Sequence, residues 1–420
     1  MKKVLIIGCT EVTDVIVPLL CKDPASVSEL SIASLDKAEC DEYRKKYAGS
    51  PVRITTARMD VKNAAGSKMM LSITQPELII NLTPAELAPT VMKLALEIGA
   101  DYIDSELYEW NQSNLLSKQF ENFTNFRVKN LMAICGCAFN PSALTSFVRL
   151  AQGKRFDEIT SADILEVNMK PVSEVSDIRD LVDSMDLGAE TDKAILIEDG
   201  KKKEVEPLSL KAEIDLPDSG KRELVILNDP IVEDFIMEIP EVPNVRYFST
   251  FEKKSDERLD ILRETGMLSK KPIEIAEGVK IAPIDFLAKV MPVESKKNVP
   301  QGISESAVLI SGTHKGSDKT ILIHVGMDNK ECIEQNGVSV ASFFDAIALL
   351  AGVKLICKGK WKKAGVFSVC GFDPEEFLEA MKKEGFRYRI EDAEPISFDT
   401  GKGKGKGKAK KDKDKDSDKE

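Results

Sequence analysis

Over its first third the chain alternates short apolar runs with longer mixed segments. Residues 4–7, 30–34, 52–59, 78–81, 102–104 and 131–135 have the length and composition of strands. Between them, residues 12–21, 38–47 and 89–98 space their apolar positions as helices do, the last stopping at Gly99. Strands separated by helices at this rhythm predict an α/β fold, a Rossmann-like doubly wound parallel sheet. Burial on both faces of such a sheet explains why the runs are continuous instead of alternating.

From about residue 156 the pattern loosens. Strands are expected at 159–167, 195–197, 224–227 and 246–251, and helices at 231–239 and 257–265, the latter stopping at Gly266. Residues 307–311 and 320–325 suggest an antiparallel hairpin with a long connection over 312–319. A long apolar helix is expected at 339–351, ending at Gly352, and another at 374–383, ending at Gly385. The expected organisation is a Rossmann-like dinucleotide-binding domain over 1–139 and an α+β mixed-sheet domain for substrate and dimerisation over 140–345. A C-terminal segment, 346–395, returns to the first domain. A disordered Gly/Lys/Asp tail follows over 396–420, too poor in apolar residues to offset the entropy of ordering.

Composition narrows the function. The chain has 420 residues, 42% apolar, enough for a sizeable core, and 59 Lys and Arg against 70 Asp and Glu, a net charge of −11. Residues 401–420 carry nine Lys against five acidic residues, so the tail is +4 and the other 400 residues are −15. An acidic body argues against nucleic-acid binding except weakly through the tail, which otherwise serves as a solubilising appendage. Only His314 and His324 are present, which excludes a multi-histidine metal centre and disfavours a Ser-His-Asp hydrolase; no metal is expected. Both histidines read as ordinary strand residues. The eight cysteines include no Cys-x-x-Cys pair and read as reduced, mostly buried thiols of a cytoplasmic protein. The run at 4–7 ends at Gly8, so it is a strand and no signal peptide. No window approaches the roughly 18 apolar residues of a membrane span.

In a doubly wound sheet the first strand-to-helix turn cradles a pyrophosphate, usually through Gly-x-Gly-x-x-Gly. Here the turn is Gly8-Cys9-Thr10-Glu11-Val12-Thr13, and only the first glycine is present. Thr10 and Thr13 occupy the other two glycine positions, and Glu11 adds an anion beside the expected phosphates. Ser34 ends the second strand where a ribose hydroxyl or 2′-phosphate would be read, followed by Leu35 and Asp36 with no Arg. Asp36 either bonds ribose hydroxyls, favouring NAD over NADP, or caps the next helix. Asp60 is a candidate for the adenine amine, and Asn81 and Thr83 lie along the cofactor path.

The chain resembles the saccharopine dehydrogenase-type oxidoreductases, in the branch containing carboxynorspermidine synthase. The resemblance spans roughly residues 1–390. It rests on Ile239-Pro240, Asn244-Val245-Arg246-Tyr247-Phe248-Ser249-Thr250-Phe251, Leu262-Arg263-Glu264-Thr265-Gly266-Met267 and Ala282-Pro283-Ile284-Asp285-Phe286-Leu287. Gly359-Lys360-Trp361, Gly365-Val366-Phe367, Phe372-Asp373-Pro374 and Asp101-Tyr102-Ile103-Asp104 with Tyr108-Glu109 complete it. It implies a homodimer that reduces, with NAD(P)H, an imine formed between an amine and an aldehyde or keto acid. In that branch the amine is a diamine and the aldehyde is aspartate semialdehyde. It also implies an Arg where Leu35 stands and an Asp-Pro-Gly where Asn140-Pro141-Ser142 stands. Asn140 remains a candidate cofactor contact and helix cap.

Hydride transfer to an imine needs orientation and a proton donor. Asp104, Glu106, Tyr108 and Glu109 cluster after a predicted strand and are the candidate catalysts; Asp285, Trp361 and Phe372 read as scaffold. Because scaffold motifs persist while cofactor motifs are replaced, two alternatives stand beside the oxidoreductase. One is an inactive homologue that binds a metabolite; the other is a scaffold.

Overall fold

The computed structural model describes residues 2–105, 108–109, 113–169, 193–250, 261–269, 271–291 and 300–399. Five strands, β1 (Lys2–Ile7), β2 (Val27–Ser34), β3 (Arg53–Arg58), β4 (Leu78–Asn81) and β5 (Asp101–Asp104), join Met132–Ile134 and Gly365–Phe367 in a seven-stranded sheet. From one edge the order is Gly365–Phe367, Met132–Ile134, β5, β4, β1, β2, β3, and every neighbouring pair is parallel. This is the doubly wound order, with a topological switch between β1 and β4. The reason for unbroken apolar runs is visible on β1: Val4 and Ile6 enter one core, Leu5 and Ile7 the other.

Helices α1 (Glu11–Cys21) and α2 (Lys37–Lys46) make the first two crossovers. A further helix, Ala64–Thr74, was not legible in the sequence. It buries only Ser67 and Leu71 and leaves Met69 and Ile73 exposed, so it carries no apolar stripe.

The second sheet has ten strands and is mixed. Glu158–Val167 and Val245–Thr250 pair in parallel at its centre, and antiparallel strands flank them. The expected hairpin is longer and tighter than its sequence suggests. Ile303–His314 pairs with Ser317–Asp328 down to a two-residue turn at Lys315 (φ 53°) and Gly316 (φ 78°). Positive φ at both positions matches the twist of the strands. Gly312 belongs to the strand, paired with Lys319 and Ile159, and has to be glycine because a Cβ there would lie 2.0 Å from the Glu158 carbonyl oxygen.

The apolar helix runs Val340–Cys357, through Gly352 and one and a half turns beyond the expected stop. Gly352 is a packing residue: a Cβ would stand 2.7 Å from Cys137 Sγ and 3.0 Å from Ile103 Cδ1. By length and composition this helix could cross a membrane, which corrects the expectation that no window comes close. Its apolarity has another cause here, since 78% of it is buried against α1, helix Pro374–Lys383 and the turn at 139–143. Beyond it, Gly365–Phe367 adds to the first sheet, whereas Arg389–Asp392 pairs with Ser317–Asp328 in the second.

Candidate active site

The crevice at the switch point begins with Gly8. Its φ of +117° and a would-be Cβ only 2.4 Å from the Leu82 carbonyl oxygen make glycine obligatory. The turn after β4 therefore packs directly on the turn after β1, held by Leu82 N–H donating to the Ile7 carbonyl at 2.8 Å. Thr13, at the third glycine position, is fully buried. Its hydroxyl donates to the Gly8 carbonyl (3.0 Å) and accepts the Thr10 N–H (3.1 Å). The turn is closed by a side chain where glycines would close it by contact.

Glu11 is drawn away from the crevice. Ser339, the N-cap of Val340–Cys357, donates to its Oε2 at 3.3 Å, so its charge faces the positive end of that helix. Cys9 and Val12 are half-buried against the core. Beside this turn a groove of about 750 Å³ runs between α1 and α2, lined by Cys9, Thr10, Glu11, Asp14, Glu39 and Tyr43 among others. Four acidic residues, those three and Glu42, line it against Lys45 and Lys46, so it is a poor seat for a pyrophosphate.

At the end of β2, Ser34 Oγ donates to the Asp36 carbonyl (2.7 Å), and Asp36 Oδ1 accepts the Ala38 N–H (2.8 Å). Asp36 thus caps α2, the second of its two expected roles. A cation reaches this turn from the neighbouring strand. Ser34 and Arg58 are register partners, and Arg58 Nε donates to the Leu35 carbonyl at 3.1 Å. The exposed Arg58 guanidinium is therefore pinned to the turn where Leu35 stands in place of arginine. Only the β2–β3 register brings these together, so no local motif announces it. Asp60 holds its own turn, its Oδ1 accepting the Lys62 N–H.

Asn81, Thr83 and Asp104 form one buried network. Asn81 Nδ2 donates to the Tyr102 hydroxyl (3.0 Å), and its Oδ1 accepts the Thr83 hydroxyl (2.8 Å). Asp104 Oδ2 accepts from the Tyr102 hydroxyl and Gln119 Nε2, both at 2.6 Å, while Oδ1 accepts the Gly136 N–H at 2.7 Å. A carboxylate with these donors positions the 136–139 segment; its oxygens are committed to the protein. Tyr108 and Glu109 form a two-residue strand with Ser113–Asn114. Their side chains, and Glu106, lie outside the described residues.

From Gly136 the chain leads to a second group. Ser142 Oγ donates to the Gly136 carbonyl (2.6 Å), and Phe139 N–H to Asp345 (2.9 Å). The Asn140–Pro141 peptide is cis. Asn140 does not cap the following helix: no side-chain cap hydrogen bond forms there, and its side chain turns to Asp229, Nδ2 to Oδ1 at 3.5 Å. Asp229 also accepts the Ile231 N–H at 2.9 Å. Burial, and then the nearby Glu166 charge, push its carboxyl up to about 7. Glu166 Oε2 in turn accepts from the Tyr247 hydroxyl (2.7 Å) and Asn168 Nδ2 (3.3 Å). Two carboxyls, a phenol and two amides thus converge where the first sheet hands over to the second. The sequence reading missed Asp229, Glu166 and Tyr247. Tyr247 lay within a motif without a role, and Asp229 precedes a proline at a helix start, where it reads only as a cap.

His324 is in a separate buried group, with Nδ1 2.8 Å from Glu305 and Nε2 3.3 Å from Glu391. Asp218 lies 3.4 Å away and is itself paired with Arg389. Burial opposes charging His324, but the two glutamates outweigh it and the net shift is upward. Glu305 also accepts the Asp218 and Ser219 N–H groups, so this cluster ties the sheet together.

Comparison with known proteins agrees with this geometry. Residues 4–128 match the family described as the saccharopine dehydrogenase NADP binding domain. The chain is 28% identical over 402 residues to carboxyaminopropylagmatine dehydrogenase of a Synechocystis species, covering 95% of this chain and all of that one. It is 20% identical to carboxynorspermidine synthase of Vibrio alginolyticus, covering 88% of this chain and 92% of that one. Among solved structures, apo saccharopine dehydrogenase (L-Glu forming) of Saccharomyces cerevisiae superposes with a TM-score of 0.68 at 14% identity, covering 94% of this chain and all of that one. The last likeness is one of fold. For a dinucleotide, the residues present fit: an obligatory glycine at the switch, a helix N-terminus beyond it, and a cation at the ribose turn.

Proposed function

We propose that the chain is a saccharopine dehydrogenase-like NAD(P) oxidoreductase and that it reduces the imine formed between a cationic amine and a carbonyl compound. NADPH is the preferred donor in this reading. The observation that carries it is Asp229, a carboxyl poised at about 7 and hydrogen-bonded to Asn140 at the mouth of a nucleotide-binding sheet. The resemblance calls for an aspartate at position 140; Asp229 supplies that carboxyl from another segment.

The nicotinamide, when bound, supplies the hydride. The chain's own residues do the rest. Asp229, protonated below neutrality, delivers a proton to the nitrogen that becomes the secondary amine. Glu166, oriented by the Tyr247 hydroxyl that donates to it, attracts the cationic end of the amine. Arg58 holds the 2′-phosphate at the turn after β2. The relatives' names favour an agmatine- or norspermidine-type compound, and the resemblance adds a diamine as the amine and aspartate semialdehyde as the carbonyl partner.

One observation favours the binding-protein alternative: the Thr10 N–H, which would face a phosphate, is taken by Thr13. The same experiment decides between them. NADPH at 100 times its dissociation constant should stabilise the fold by about 2.7 kcal/mol in a thermal-shift titration. NADPH should then be consumed only when amine and aldehyde are both present. The absence of a shift with either nucleotide sinks the oxidoreductase; a shift without turnover on any amine and aldehyde pair leaves a binding protein.

A further inference from the structure

The pair Cys135-x-Cys137 is adjacent in sequence, but both thiols are fully buried and pushed up by burial, as inert core thiols are. The pair that meets in space is Cys9 and Cys40, 31 positions apart, with Sγ atoms 3.7 Å from each other. Cys9 follows Gly8 in the first turn, is partly exposed and lines the groove between α1 and α2. Cys40 is buried on α2 and anchored to the turn after β2, its Sγ 3.4 Å from Ser34 Oγ and 3.6 Å from the Asp36 carbonyl. The two sulfurs therefore connect the phosphate turn to the ribose turn.

We propose that Cys9 and Cys40 form a reversible oxidation site, in which a hydroperoxide converts the two thiols to a disulfide that staples the two nucleotide-binding turns together and weakens nucleotide binding. The nucleotide's location is taken from the function proposed above. The two sulfurs share a hydrogen bond in which either can be the donor, and with the proton passed to Cys40 the accessible Cys9 sulfur attacks an oxygen of hydrogen peroxide, giving a sulfenic acid and one molecule of water. The Cys40 sulfur then attacks Cys9, the S–O bond breaks, and the oxygen leaves as a second water with the remaining thiol proton. Two thiols lose two electrons and the peroxide gains them. In the reduced pair the shared hydrogen bond lowers the Cys40 thiol and raises the Cys9 thiol, and Ser34 Oγ, 3.4 Å from the Cys40 sulfur, also favours its thiolate. Closing 3.7 Å to the roughly 2.05 Å of a disulfide draws the two sulfurs, and with them the two turns that carry them, toward each other. A nucleotide seated on the undistorted turns opposes that movement, and by linkage the disulfide opposes the nucleotide to the same degree.

The test treats the full chain with hydrogen peroxide and reads intact mass, tryptic cross-links and NADPH affinity. The expected result is a loss of two hydrogens and a link between peptides 4–22 and 38–44, undone by dithiothreitol. Cys9→Ser and Cys40→Ser should abolish it, and Cys21→Ser should retain it. NADPH affinity should fall about tenfold on oxidation and recover on reduction. Absence of that link in the wild-type chain overturns the site, as does its persistence in Cys9→Ser, where Cys21 would be the partner. A link that leaves NADPH affinity unchanged overturns its effect on the nucleotide. Because the link is read by mass without nucleotide, a reduced chain that binds no NADPH refutes the proposed function while the cross-link stands or falls by itself.

Discussion

The first turn and the Asn140 segment both depart from the pattern of the proteins they resemble, and the structure answers the two departures differently. At the first turn the response is local. Thr13 replaces a glycine and returns two hydrogen bonds to the same six-residue loop. At Asn140 the response is distant, because a carboxyl from Asp229, 89 positions along the chain, stands against the amide. The ribose turn behaves like the second case, with Arg58 crossing from β3 to where Leu35 stands. The contrast teaches that a residue missing from a motif is not a group missing from a site. What matters is which side chain reaches that point in space, and sheet register or domain docking can deliver it from elsewhere.

Three substitutions sharpen this contrast. The largest effect is expected at the distant replacement. Asp229→Asn should lower kcat about 10³-fold while leaving NADPH affinity intact, as loss of a general acid does. The pH profile gives the sign. The raised carboxyl is protonated below about 7, so wild-type kcat/KM should fall as pH rises through that value, and the variant should lack this limb. An unchanged profile would remove Asp229 from the chemistry.

Next is the one glycine that was kept. Gly8→Ala puts a methyl group 2.4 Å from the Leu82 carbonyl oxygen at a φ of +117°. Urea unfolding should show a loss of about 3 kcal/mol, at the high end for a single substitution. A loss close to zero would mean that the two turns can separate freely. The smallest effect is expected at the ribose turn. Arg58→Ala should raise KM for NADPH about tenfold, the worth of a charge-assisted hydrogen bond, and leave KM for NADH unchanged. Equal effects on both cofactors would assign Arg58 to the turn's structure instead of the 2′-phosphate.

The sequence by itself determined the parallel sheet, because continuous apolar runs at strand length admit few other burials. It also located the first turn, the helix stops at Gly99 and Gly385, and the family resemblance. These are local properties, carried by spacing and by glycine's backbone freedom. It left undecided whether Asp36 caps a helix or reads a ribose, and it misassigned Gly352 as a stop. The first needed the Ala38 N–H in place, and the second needed Cys137 and Ile103 pressed against the helix. Only the tertiary structure decided that Asp104 is committed to Tyr102, Gln119 and Gly136, that Asp229 stands beside Asn140, and that Cys9 meets Cys40. Each of these joins groups far apart in the chain. Burial and proximity set their charge and reactivity, and neither is a property of the residues before the chain has folded.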